Sequence, residues 1–139
     1  MNIEQWKERV EKTIVMRAEE ARRTEEKAKE KFLACFDKDS VGAIKWYSAQ
    51  VVYAITYREW CEMLAMRREN MKDVPLIEFL TKTLSRWTQD LISRSDDGRS
   101  TSLYSNANDH WARKATADAV RDIMEWVEGY ELMDKGENE

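Results

Sequence analysis

The chain has 139 residues, 42% of them apolar and 36% charged, with four Gly, one Pro and a net charge of -4. That apolar share can bury one core and is too large for a disordered tail, while so few turn residues leave little room for sheets or loop-rich folds. No apolar run approaches the ~18 residues of a membrane span, the charged stretch from Met1 to Glu8 is not expected to act as a secretory leader, and the mild acidity makes duplex nucleic acid a poor partner. A single all-α domain over residues 1–139 is expected, an antiparallel bundle of about four helices opening with a long helical hairpin.

The first helix is expected over 3–37. Ile3, Trp6, Val10, Ile14, Ala18, Ala21, Ala28, Phe32 and Cys35 recur at three- and four-residue spacing, close to a heptad seam. From Glu19 to Lys31 only Ala21, Thr24 and Ala28 are uncharged, so the remaining faces must be wet. Asp37-Lys38-Asp39-Ser40 breaks the pattern, and Asp39 or Ser40 can cap the next helix. A connection this short makes the two long helices antiparallel.

The second helix, expected over 41–71, carries two apolar stripes. Ile44, Tyr47, Val51, Ala54 and Ile55 form one; Trp46, Tyr53, Tyr57, Trp60 and Leu64 form the other. A helix apolar on two sides belongs at the centre of a bundle or bridges two partners. Asp73 can cap a third helix over 74–94, with Pro75 in its first turn and Ile77, Leu80, Leu84, Trp87 and Leu91 on its inner seam. Residues 93–108, rich in Ser, Asn and Gly, read as the one long loop, a length that points to function or mobility. A fourth helix is expected over 109–132, capped by Asn108. Its inner face is Ala112, Ala115, Ala119, Ile123, Trp126, Val127 and Tyr130, with Asp118, Asp122 and Glu125 outward. Residues 134–139 are expected to be disordered.

Charge is unevenly spread. Residues 109–139 hold nine acids and four bases, a balance of -5, which leaves +1 on the first 108; such runs usually solvate a helix face. Cys35 and Cys61 lie among apolar neighbours, and two buried free thiols fit the cytoplasm.

Chemical motifs are scarce. The glycines are too far apart for a phosphate loop. One histidine and two cysteines fall short of a zinc site's four ligands, so no metal and no cofactor is expected. Glu59 and Glu62, with Asp118, Asp122 and Glu125, have the spacing that all-α Mg²⁺-dependent nucleotide pyrophosphohydrolases use, but an outward Asp118–Asp122 pair cannot build a cage. The sharpest candidate site is the long loop. Arg86, Arg94, Arg99 and Tyr104 precede the fourth helix, and His110, Trp111, Arg113 and Lys114 occupy its expected first turn. Arginines beside free helix-start N–H groups can hold a phosphate or nucleotide.

The leading expectation is a non-enzymatic helical interaction protein with a protein partner. By size and composition it is of the kind found among phage and mobile-element accessory proteins and inhibitors. A homodimer through Trp46, Tyr53, Tyr57 or Trp60 is expected, because the shorter third and fourth helices leave part of the hairpin uncovered. The alternative is a nucleotide- or anion-sequestering protein using residues 93–114, and a pyrophosphohydrolase comes third.

Overall fold

The structure is a computed structural model that describes residues 1–36, 41–97 and 103–137, with side chains described for 1–36, 41–93 and 109–136. Four helices run in order: α1 (Ile3–Cys35), α2 (Val41–Asn70), α3 (Leu76–Asp97) and α4 (Leu103–Glu137). No strand occurs among the described residues, and no helix there is long and apolar enough to cross a membrane. The expected all-α bundle with its leading hairpin is what the chain forms.

Helix α1 opens on a capping box. The Asn2 side chain accepts from the Gln5 N–H at 2.8 Å, and the Asn2 N–H donates to Gln5 Oε1 at 3.0 Å. These bonds satisfy two donors that a helix start otherwise leaves open. Its buried line is Trp6, Val10, Ile14, Ala21 and Cys35, the expected seam, with the charged Glu25 buried in the same row. Helix α2 packs antiparallel on α1 and also along α4, so its two stripes have two partners inside the chain. Cys35 and Cys61 are both buried and free, as expected.

The α2–α3 connection is held by Arg68. This buried guanidinium donates to Glu11 at 2.6 Å and to the carbonyls of Met71 and Val74 at 3.0 and 2.8 Å. It therefore fastens two carbonyls of the turn that follows α2, that of Met71 also accepting from the Val74 N–H at 3.1 Å, and ties this turn to α1. The first carbonyl of α3 to accept a helical bond is that of Pro75, from Phe79 N–H at 3.0 Å. Asp73, the expected cap, is an exposed turn residue two positions too early.

The main core joins Trp6, Val10 and Ile14 of α1, Trp60 and Leu64 of α2, Leu76, Phe79, Leu80 and Trp87 of α3, and Ala119, Val120, Ile123 and Val127 of α4. Relative to the expected seam, α3 is turned toward Leu76, Phe79 and Thr83, leaving Ile77 and Leu84 at the edge. That rotation buries Phe79 together with Trp87, the two aromatic side chains of α3.

Three boundaries differ from expectation by three residues or more. Helix α3 runs on to Asp97, and α4 starts at Leu103 and continues to Glu137. The loop expected over 93–108 is therefore mostly helical where described, and 134–137 are helical too; 98–102 and 138–139 lie outside the described residues, as do the expected caps Asp39 and Ser40. Between residues 99 and 128 there is neither Gly nor Pro. Extending an existing helix costs far less than nucleating one, so the capping preference of Asn108 is overridden. At the other end Met133 packs against the core and carries the helix past Leu132. At 35 residues α4 spans about 52 Å, as long as α1 at about 50 Å. Bare hairpin surface was expected from a short α3 and a short α4; α4 is long, and of the two only α3, at 22 residues, is short.

Candidate functional site

Two tyrosine–aspartate pairs line a groove of about 420 Å³ between α1, α2 and α4. Tyr53 and Tyr57 lie one turn apart on α2; Asp118 and Asp122 lie one turn apart on α4. Each hydroxyl donates to the matching carboxylate at 2.5 Å. The equal spacing means that α2 and α4 run parallel here. The tyrosine rings stack with centroids 6.0 Å apart and planes 8° from parallel. Arg17 of α1 closes the inner end, forming an ion pair with Asp122, donating to the Tyr57 hydroxyl at 3.4 Å and resting 5.2 Å from the Trp126 ring. Arg121 meets Asp118 at 3.3 Å.

This overturns the outward placement of Asp118 and Asp122; Glu125 alone is exposed as expected. The α4 stripe is flanked by neighbours on several sides, α1, α2 and α3, so its wet face is narrow. Small Ala115 and Ala119 let α2 come close, and the tyrosine hydroxyls then reach the residues beside the stripe.

The chemistry of the groove is quiet. Burial, then the hydrogen bonds to Asp118 and Asp122, hold the Tyr53 and Tyr57 phenols well above their usual range, so both stay protonated. Burial pushes the nearby Cys61 thiol up to about 11, which leaves it protonated and a poor nucleophile. Arg17 is held charged by Asp122 against the cost of its burial. The α2 acids do not join the site: Glu59 is exposed, and Glu62 binds Arg22 at 2.7 Å and Arg58 at 3.0 Å. Among the described residues no three His, Cys, Asp or Glu side chains are grouped to hold a metal ion.

The seam between α1 and α2 carries a second polar cluster, which sequence reasoning missed. Arg58 grips Glu25 with two nitrogens, at 3.0 and 3.2 Å, while also holding Glu62. Those bonds raise the Arg58 pKa, and hydrogen bonds from Arg22 and then Arg58 lower that of Glu62. One signal was present: Glu25 fills the seam position between Ala21 and Ala28.

Of the residues expected to form an anion site, the described ones are not brought together in one cluster. Arg86 lies on α3 beside Arg67 and Lys82. His110 and Lys114 are exposed on α4, Arg113 is half-buried, and Trp111 is half-buried with its ring edge-on to Trp46 at 5.7 Å, Tyr53 at 6.3 Å and His110 at 5.6 Å. Arg99 and the side chains of Arg94 and Tyr104 lie outside the described residues. Because α4 begins at Leu103, residues 109–114 are helix interior, and their N–H groups are not the free donors of a first turn.

The four aromatics expected at a dimer contact also separate. Trp60 is core, packed with its ring tilted against Trp87 at 4.6 Å and donating to Thr116 Oγ1 at 2.8 Å, and Tyr53 and Tyr57 are tied to α4. Trp46 stays 51% exposed. It stands near the hairpin bend, where Leu33, Phe36 and Val41 are 69%, 56% and 69% exposed. Comparison of the chain with protein-family models, with curated proteins and with solved structures finds no match.

Proposed function

We propose that this chain is a non-enzymatic interaction protein whose hairpin end docks on another protein. The observation behind the reading is the concentration of exposed Leu33, Phe36, Val41 and Trp46 at that end of a chain with only mild net charge. Large apolar side chains gathered on a surface mark interaction sites, whereas scattered ones do not. The quiet groove agrees with this: its tyrosines and Cys61 are kept protonated and its carboxylates are occupied. A second copy of the chain is one partner that this end suits, and light scattering tests for it.

The experiment is affinity capture from the native cells with the unmodified chain and with Leu33→Glu/Phe36→Glu/Trp46→Glu. All three side chains are exposed, so the variant should fold with a similar melting temperature. Docking through the hairpin end predicts that a stoichiometric protein partner, or a second copy, is lost in the variant. Equal capture by both chains would rule it out.

A further inference from the structure

We propose that the groove between α2 and α3 is a second docking site, one that takes an acidic amphipathic helix. The inference deepens the interaction-protein reading and rests on it. Helix α3 packs chiefly on α4 and meets α2 only through large side chains such as Trp87 and Phe79. A groove of about 530 Å³ therefore stays open between them, lined by Arg67 and Met71 from α2 and by Phe79, Lys82, Thr83 and Arg86 from α3. Two antiparallel helices held slightly apart present the ridges between which a third helix packs.

Charge selects the occupant. Arg22, Arg58 and Arg68, the arginines of the α1–α2 seam, are each spent on a carboxylate of this chain. Arg67 and Arg86 have no ion pair among the described residues, and Lys82 has only the exposed Glu78 one turn away. Three cations thus border one groove in a chain whose net charge is -4. Lys82 and Arg86 stand one turn apart, so carboxylates repeating at one-turn spacing can meet both. Phe79 forms the floor and Met71, 39% exposed, one wall. An apolar stripe beside the acids would cover this Met; a bare polyanion would leave it wet.

The test is fluorescence anisotropy with a fluorescein-labelled peptide of about 16 residues, long enough to hold a helix, built of Ala with Glu at one-turn spacing beside a Leu stripe. The unmodified chain should bind it about tenfold more tightly than the same peptide with Gln for Glu, and less tightly as salt rises. Arg67→Gln/Arg86→Gln should weaken binding about tenfold with an unchanged helical spectrum, and Arg67→Lys/Arg86→Lys should restore most of it. Equal affinity for the Gln peptide, equal binding by the Gln variant, or no binding at all would overturn the assignment. So would displacement of the peptide by a single-stranded oligonucleotide more readily than by the unlabelled peptide. The hairpin-end variant keeps this groove whole and should bind the peptide normally. Loss of the groove result with capture through the hairpin end intact would therefore sink this inference and spare the broader reading.

Discussion

The Tyr57 hydroxyl donates to an Asp122 oxygen that is also paired with Arg17, so a single carboxylate joins α1, α2 and α4. Tyr53 and Asp118 repeat the contact one turn along. These bonds make stability depend on alkaline pH, with a definite sign. The folded phenols titrate above the ~10 of an unfolded tyrosine. Their contribution is complete below about pH 10 and is lost as pH rises toward the folded values, because the unfolded chain releases its protons first. Urea midpoints should fall above about pH 10, and Tyr53→Phe/Tyr57→Phe should flatten that fall. Tyrosinate absorbance in the folded protein should appear late for two of the five tyrosines.

Removing one side of the Glu25–Arg58 pair should be costly. Glu25→Ala leaves a guanidinium facing the seam with Glu62 as its remaining carboxylate, and about 2 kcal/mol of stability should disappear. Replacing both residues by Leu should recover most of the loss, as apolar replacements of buried pairs commonly do. A double-mutant cycle by urea denaturation measures the coupling.

Arg68→Ala should be worse. It removes the Glu11 pair and the bonds to the Met71 and Val74 carbonyls, and frees the α2–α3 turn from α1. A loss of about 3 kcal/mol is expected from a buried charged donor with three partners. Arg68→Lys should rescue only part, since one ammonium cannot reproduce the fork.

Neither thiol should react with iodoacetamide in the folded chain, because both are buried and the Cys61 pKa is raised to about 11. They should not bridge to each other either. Cys61 stands about 30 Å along α2 from its start near the bend, while Cys35 ends α1 beside it; a disulfide needs Cα atoms within about 7 Å. Mass spectrometry after labelling, with and without urea, checks both points.

The sequence carried the helices and most of the core because apolar spacing reports directly on helix faces: Trp6, Val10, Ile14, Leu80, Trp87, Ala119 and Ile123 were all on the expected inner sides and are buried. It misled where a polar residue was assumed to face water. Asp118 and Asp122 are polar and flank the stripe, yet tyrosines spaced like them on α2 make their burial favourable. Glu25 sits in an apolar row because Arg58 waits opposite. Both partnerships are long-range, and the one local sign of either is the place of Glu25 in the seam between Ala21 and Ala28. The overlong loop had another cause: Ser and Asn resemble punctuation, but on the α4 side of Gly98 neither Gly nor Pro follows before Gly129, and the helix takes in Ser105, Asn106 and Asn108. The anion site was read on that stretch: its first-turn N–H groups are helix interior, and Arg99 with the side chains of Arg94 and Tyr104 lies outside the described residues.

The central claim, that the chain works by binding through its hairpin end, is tested most directly by photo-crosslinking inside the native cells. A photoreactive phenylalanine analogue replaces Trp46, and for comparison Glu128, which is exposed on α4. Binding through that end predicts that the probe at position 46 captures one protein, a partner or a second copy, and that the probe at position 128 does not. No crosslink from position 46, or the same products from both positions, would contradict it.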